Sequence, residues 1–88
     1  MDIDLFVNEI VEKEYARLND KDKKYFSTGP DYISTLAHIG YGMYLRNKYM
    51  WGTDIVKYAD PDDLSLRVFN ELIIKCGGTP PDIHGIEL

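Results

Sequence analysis

LAHIGYGMYLRNKYMWG, the stretch from Leu36 to Gly52, decides how this chain is read. At helical spacing it is apolar or aromatic nearly all round, and a helix apolar on every side is normally a buried one. It is therefore expected to be the spine on which the rest of the chain packs. Pro30 suits the first helical position and Asp31 the first turn, so the spine helix is predicted from Pro30 to about Tyr49. It also carries His38, Gly40, Gly42, Arg46 and Asn47. Polar groups on a buried helix need partners, and any function is expected there.

Working outward, Leu5, Ile10, Val11, Tyr15 and Leu18 follow helical spacing, with Phe6 and Val7 widening the stripe, which predicts a first helix over about Asp4 to Leu18. Asn19 caps a short second helix, and Ser27-Thr28-Gly29-Pro30 breaks the chain. Beyond the turn Trp51-Gly52-Thr53, a brief helix is expected through Tyr58. Asp60-Pro61-Asp62-Asp63 is the clearest start signal: a cap residue, then proline, then two acids in the first turn. The last helix sets Leu64, Val68, Leu72, Ile73 and Cys76 along one face, and Gly77-Gly78 stops it. TPPDIHGIEL, with adjacent prolines and no helical period, reads as an extended tail. The expected fold is all-α: one domain over 1–78, a small bundle of three main helices plus one or two short ones, and a tail over 79–88.

With 88 residues, 44% of them hydrophobic, the chain has room for one folded domain. A single cysteine, Cys76, excludes an intrachain disulfide and fits a reducing compartment. No apolar run reaches the roughly 18 residues that span a bilayer, and the acidic start MDIDLFVNEI is unlike a signal peptide, so a cytoplasmic location is expected. Net charge is −5, made up of −2 over residues 1–29, +1 over 30–58 and −4 over 59–88. That balance argues against nucleic acid as a partner. The lysines Lys21, Lys23 and Lys24 alternate with Asp20 and Asp22 and read as a solvated turn.

Several residue sets bear on chemistry. His38, Gly42 and Arg46 fall at i, i+4 and i+8 on one helix face, with Asn47 beside them. One reading is an anion site in which Gly42 leaves room between two cationic groups. The other is that Arg46 pairs with a carboxylate and His38 with a carbonyl, and buried polar groups are normally paired for packing reasons. Two helix-weakening glycines need an offset, and close helix packing is the expected one. Asp60, Asp62 and Asp63 are explained by capping and the helix dipole, since a calcium loop spreads its ligands over 12 residues. His38, His84 and Cys76 lack zinc spacing, and no metal or cofactor is expected. Cys76 at a helix C-terminus is a poor nucleophile, and Ser34 with His38 lacks an orienting third group, so no catalytic residue is assigned. The core of an 88-residue bundle has room for about two of the rings Tyr41, Tyr44, Tyr49 and Trp51. The others are expected at the surface, facing a partner.

The run HIGYGMYLRNKYMWG, followed by Lys57-Tyr58 and then Pro61-Asp62-Asp63-Leu64-Ser65, resembles a bacterial family of small uncharacterised α-helical proteins. That family carries H-x-G-x-G-M-aromatic-aliphatic-R-N, then tryptophan, then H-P-D-D-M-S before its last helix. The matching positions are His38, Gly40, Gly42, Met43, Tyr44, Leu45, Arg46, Asn47 and Pro61 to Ser65. Asp60 stands in place of the family's histidine, which removes the basis for a metal or acid–base role there. The tryptophan is displaced to Trp51, and the loop before Pro61 is shorter. The resemblance implies a fold unit with a polar motif rather than an activity.

The function expected is that of a non-enzymatic cytoplasmic helical domain working through a protein partner or a homodimer, in a regulatory, immunity-like or phage-derived setting. The alternative is a small-molecule or anion-binding domain centred on His38, Arg46 and Asn47. Where Arg46 points, into a carboxylate or into an open pocket, separates the two.

Overall fold

The first, second and last helices each start where a short polar side chain takes over an orphan N–H. The computed structural model describes residues 2–32 and 39–81. Asp2 accepts the Leu5 N–H at 3.0 Å and opens α1, Ile3–Arg17. Asn19 accepts the Asp22 N–H at 2.8 Å and opens α2, Asp20–Ser27. Helix α3, Gly40–Leu45, runs directly into a π-helical turn, Arg46–Met50. Thr53 caps a 3₁₀ turn, Asp54–Lys57. Asp60 accepts the Asp62 N–H at 3.0 Å, Pro61 takes the first position, and α4 runs over Pro61–Lys75. The fold is all-α, with no strand among the described residues.

Two expectations about the central stretch change. Pro30 and Asp31 are not helical and Tyr32 lies in a turn, so the described helix begins at Gly40. Ser34 and His38 lie outside the described residues. The centre of the bundle is also not this stretch but α4, which packs against α1, α2, α3 and the π turn. Leu64, Val68 and Leu72 form one buried column and Ser65, Phe69 and Ile73 the next, a face broad enough to meet neighbours on several sides. From α3 and the π turn only Gly42, Leu45 and Met50 are buried. The tyrosines of this segment are apolar in outline, but each hydroxyl needs a polar partner, which holds them at the edge of the core.

The core is completed by Val7, Ile10 and Val11 from α1, Phe26 from α2, Tyr32, and Ile55 from the 3₁₀ turn. Past α4, Gly77 adopts φ +92° and donates to the Ile74 carbonyl at 3.0 Å, while Gly78 donates to the Ile73 carbonyl at 2.9 Å. This is the left-handed helix stop that glycine permits. Gly78 does more than stop the helix. A Cβ there would stand 2.7 Å from the Ser27 carbonyl oxygen and 2.9 Å from that of Phe26, so the chain leaving α4 lies against the end of α2. Residues 82–88 of the expected tail lie outside the described residues.

Candidate functional site

Along α1 the buried positions are Val7, Ile10, Val11 and then Glu14, so helical spacing places a carboxylate where the next core residue belongs. The Glu14 side chain is only 1% exposed. Its Oε1 accepts the Tyr41 hydroxyl at 2.6 Å, and its Oε2 accepts those of Tyr44 at 2.8 Å and Tyr49 at 2.6 Å. Arg17 Nη1 approaches to 3.3 Å and Lys48 Nζ to 3.8 Å, both from the solvent side. The Tyr44 hydroxyl also meets Arg17 and lies 3.1 Å from Lys48 Nζ.

The π turn makes this convergence possible. In a regular helix at 3.6 residues per turn, Tyr49 would point roughly 140° away from Tyr44. The wider turn, closed by the Trp51 N–H on the Arg46 carbonyl at 2.9 Å, swings Tyr49 back to the side of Tyr41 and Tyr44. Leu45 and Met50, also five apart, are likewise brought together into the core.

Burial alone would raise the Glu14 pKa. The three phenol hydrogen bonds and the Arg17 charge outweigh it and hold the carboxyl below its ordinary range. Tyr41 and Tyr49 are pushed the other way, first by burial and then by their bonds to this anion. An ionised carboxylate already accepting three hydroxyls, with a guanidinium beside it, is a poor general base: a proton or substrate would first have to displace those donors. The arrangement clamps α1 to the α3–π segment.

A second polar cluster surrounds Arg46. Its Nη1 lies 3.3 Å from Asp62 Oδ1, 3.1 Å from Ser65 Oγ and 3.3 Å from the Tyr32 hydroxyl. Tyr32 and Ser65 share a hydrogen bond of 2.8 Å, and Ser65 donates to the Asp62 carbonyl at 2.9 Å. With the serine proton committed there, the phenol is the donor of the pair. Arg46 thus pairs with an acid of the α4 first turn, and the two halves of the motif quoted above, one around Arg46 and one from Pro61 to Ser65, meet in space.

Gly42 has a role different from the expected helix crossing. A Cβ there would run into the Tyr32 hydroxyl and stand 2.8 Å from Arg46 Nη1, so this glycine makes room for the polar cluster, not for a backbone. Among the described residues nothing stands within 4 Å of a Cβ at Gly40, so none of them makes a crossing there. Asn47 is exposed beside Arg46, and His38 lies outside the described residues. Asp60 is the α4 cap and Asp63 a first-turn acid, while Asp62 is also the Arg46 partner.

The expected aromatic partner surface divides. Tyr41, Tyr44 and Tyr49 turn inward to Glu14, and only Trp51 stands out, 55% exposed. Sequence reasoning missed Glu14, Arg17, Lys48 and Tyr32 as site residues, and quoted Ser65 only as the end of the Pro61–Ser65 motif. Its one available signal was that Glu14 continues the stripe of Val7, Ile10 and Val11. Among the described residues, no group of three or more His, Cys, Asp or Glu side chains converges as a metal site requires, and no helix is long and apolar enough to cross a membrane.

No protein-family model, curated protein or solved structure matches the chain.

Proposed function

We propose that this chain is a non-enzymatic helical domain that acts by contact with another protein, through a surface around Trp51. The carrying observation is the exposure of large apolar side chains along one stretch: Ile39, Met43, Trp51 and Tyr58 all face solvent. Ile39 and Met43 lie one turn apart on one helix face, and Trp51 and Tyr58 flank the 3₁₀ turn. Exposed aromatic and methionine side chains favour a partner, because they combine apolar area with adaptable shape. Asp54 is paired with Lys57 at 3.6 Å, and the exposed acids Asp60 and Asp63 follow Tyr58 in sequence, which favours a basic partner surface. The inward pairing of Arg46 with Asp62 and Ser65 supports this reading over an anion site. The resemblance of the Arg46 and Pro61–Ser65 motifs to the family of small bacterial helical proteins belongs to the same proposal, with Arg46 acting as a fold element.

Trp51 is the only tryptophan, so its fluorescence reports on this surface alone. Affinity capture from the source organism with wild type and Trp51→Ala should yield a protein lost with the variant. Adding that protein, purified, should shift Trp51 emission to shorter wavelength. If light scattering shows self-association instead, the same substitution should abolish it. Identical capture by both forms, with unshifted emission and a monomer throughout, overturns the proposal.

A further inference from the structure

A cleft of about 330 Å³ opens where α1 ends against α2 and is lined by Leu18, Asp22, Tyr25, Phe26, Tyr41 and Phe69, with Tyr41 shared with the Glu14 cluster. Four of these six are aromatic; Phe26 and Phe69 are buried and form the floor, so the rings a ligand can reach are Tyr25 and Tyr41, and the only lining side chain charged at neutral pH is the Asp22 carboxylate. The rings form one assembly with Phe26 at its hub. Its centroid lies 5.6 Å from that of Tyr25, 5.8 Å from Tyr41 and 5.1 Å from Phe69. The volume is at the low end of small-molecule clefts, which run from roughly 300 to 1,000 Å³.

We infer that this cleft binds a small organic cation, of the alkylated or quaternary ammonium class, held against the rings and balanced by Asp22. Aromatic faces carry negative potential, and rings such as Tyr25 and Tyr41 beside a carboxylate can hold an ammonium whose methyl groups prevent strong hydrogen bonding. Tyr41 adds to this. Its hydroxyl donates to the buried Glu14 carboxylate at 2.6 Å, which pushes electron density into the ring that lines the cleft. Cations of the chain itself lie over other rings: Lys23 and Lys75 over Tyr15, Arg17 over Tyr44, and Lys48 over Tyr44 and Tyr49. The inference does not rest on the Trp51 surface.

The test is a titration of ¹⁵N-labelled protein with choline and, separately, with 3,3-dimethylbutanol, its neutral isostere. Choline should cause saturable shifts at the amides of Asp22, Tyr25, Phe26 and Tyr41, and bind roughly tenfold more tightly than the neutral compound. Asp22→Asn should weaken choline about threefold and leave the isostere unchanged. Tyr25→Leu keeps the wall apolar but removes a ring, and should weaken choline more than the isostere. Both substitutions fall at exposed positions, and the amide spectrum itself shows whether each variant is folded. Equal binding of the two compounds, shifts scattered outside the cleft, or no shift with choline overturns the inference.

Discussion

The Tyr49 hydroxyl donates to the Glu14 carboxylate at 2.6 Å across 35 positions of sequence. Tyr41 and Tyr44 join it, so one buried anion collects three donors from the α3–π segment. Glu14→Gln removes the charge and leaves the shape. Hydrogen bonds to a charged group contribute about 1.5–3 kcal/mol each to stability, and the glutamine oxygen retains part of them. The expected loss is on the order of 2–3 kcal/mol, a fall in Tm of roughly 10–20 °C for a domain of this size. Thermal melting followed by circular dichroism checks it; a fall of only a degree or two would contradict the clamp.

The same cluster sets a pH dependence. Because the folded-state pKa of Glu14 lies below its ordinary value of 4.5, the unfolded chain binds the proton more readily. The carboxylate therefore stabilises the fold above about pH 4.5, and the benefit is lost as pH falls through the folded value. Tyr41 and Tyr49, raised above their ordinary value of 10.0, act at the other end. Their contribution is complete below about pH 10.0 and is lost as pH rises through the folded values. Urea midpoints across this range should show wild type and Glu14→Gln converging in acid, because only wild type has this carboxylate to titrate. Parallel curves below pH 4.5 would contradict it.

Gly42 and Gly40 should respond oppositely to alanine. At Gly40, the first residue of α3, the added methyl meets none of the described residues within 4 Å, and helix propensity predicts a gain of less than about 1 kcal/mol. At Gly42 the methyl collides with the Tyr32 hydroxyl and must displace it from Ser65, which turns the propensity gain into a loss of roughly 1–3 kcal/mol. Urea denaturation of the two variants decides this. A stabilised Gly42→Ala would mean that the phenol shifts without cost.

Arg46 and Asp62 should be unequal partners. The Arg46 side chain is 12% exposed but that of Asp62 is 63% exposed, so the ion pair is largely solvated. Asp62→Asn should cost under about 1 kcal/mol. Arg46→Ala also strips donors from Ser65 and Tyr32, and about 1–2 kcal/mol is expected. Equal losses from the two substitutions, measured by urea denaturation, would place the energy in the ion pair instead.

Local chemistry made the starts of α2 and α4 legible, whereas Pro30 and Asp31, the expected start of the central helix, are not helical. Asn19 and Asp60 cap as their types and positions suggest, and Asp60-Pro61 marks α4 to the residue. Arg46 was traceable to the acids of α4 because a cation on an apolar helix needs an anion. Glu14 was not traceable in this way. Its donors come from 27 to 35 residues away, and a glutamate on a helix that also carries the exposed Glu9, Glu12 and Lys13 looks like surface. The surplus of tyrosines was visible, but without the buried carboxylate it read as a partner surface. The π turn left no local signal either, since its cause is the tertiary demand that Tyr49 and Met50 both face inward.

That origin of the π turn yields a last prediction. The segment Arg46–Met50 holds one residue more per turn than an α-helix needs. Deleting Lys48 would put Tyr49 four residues after Tyr44 and Met50 four after Leu45, spacings at which an ordinary α-helix already brings side chains to one face. The Glu14 clamp and the core would then survive with regular hydrogen bonding. The direct loss is the Lys48 ammonium, which is 42% exposed and 3.8 Å from Glu14, and an exposed pair contributes at most about 1 kcal/mol. The deletion variant should therefore keep its helical spectrum and melt within roughly 8 °C of wild type. Deleting Asn70 from α4 is the control, because it rotates Leu72 and Ile73 out of phase with Leu64 and Val68 and should prevent folding. Failure of both deletions to fold would mean that the extra residue is required in itself and not tolerated for the sake of Tyr49.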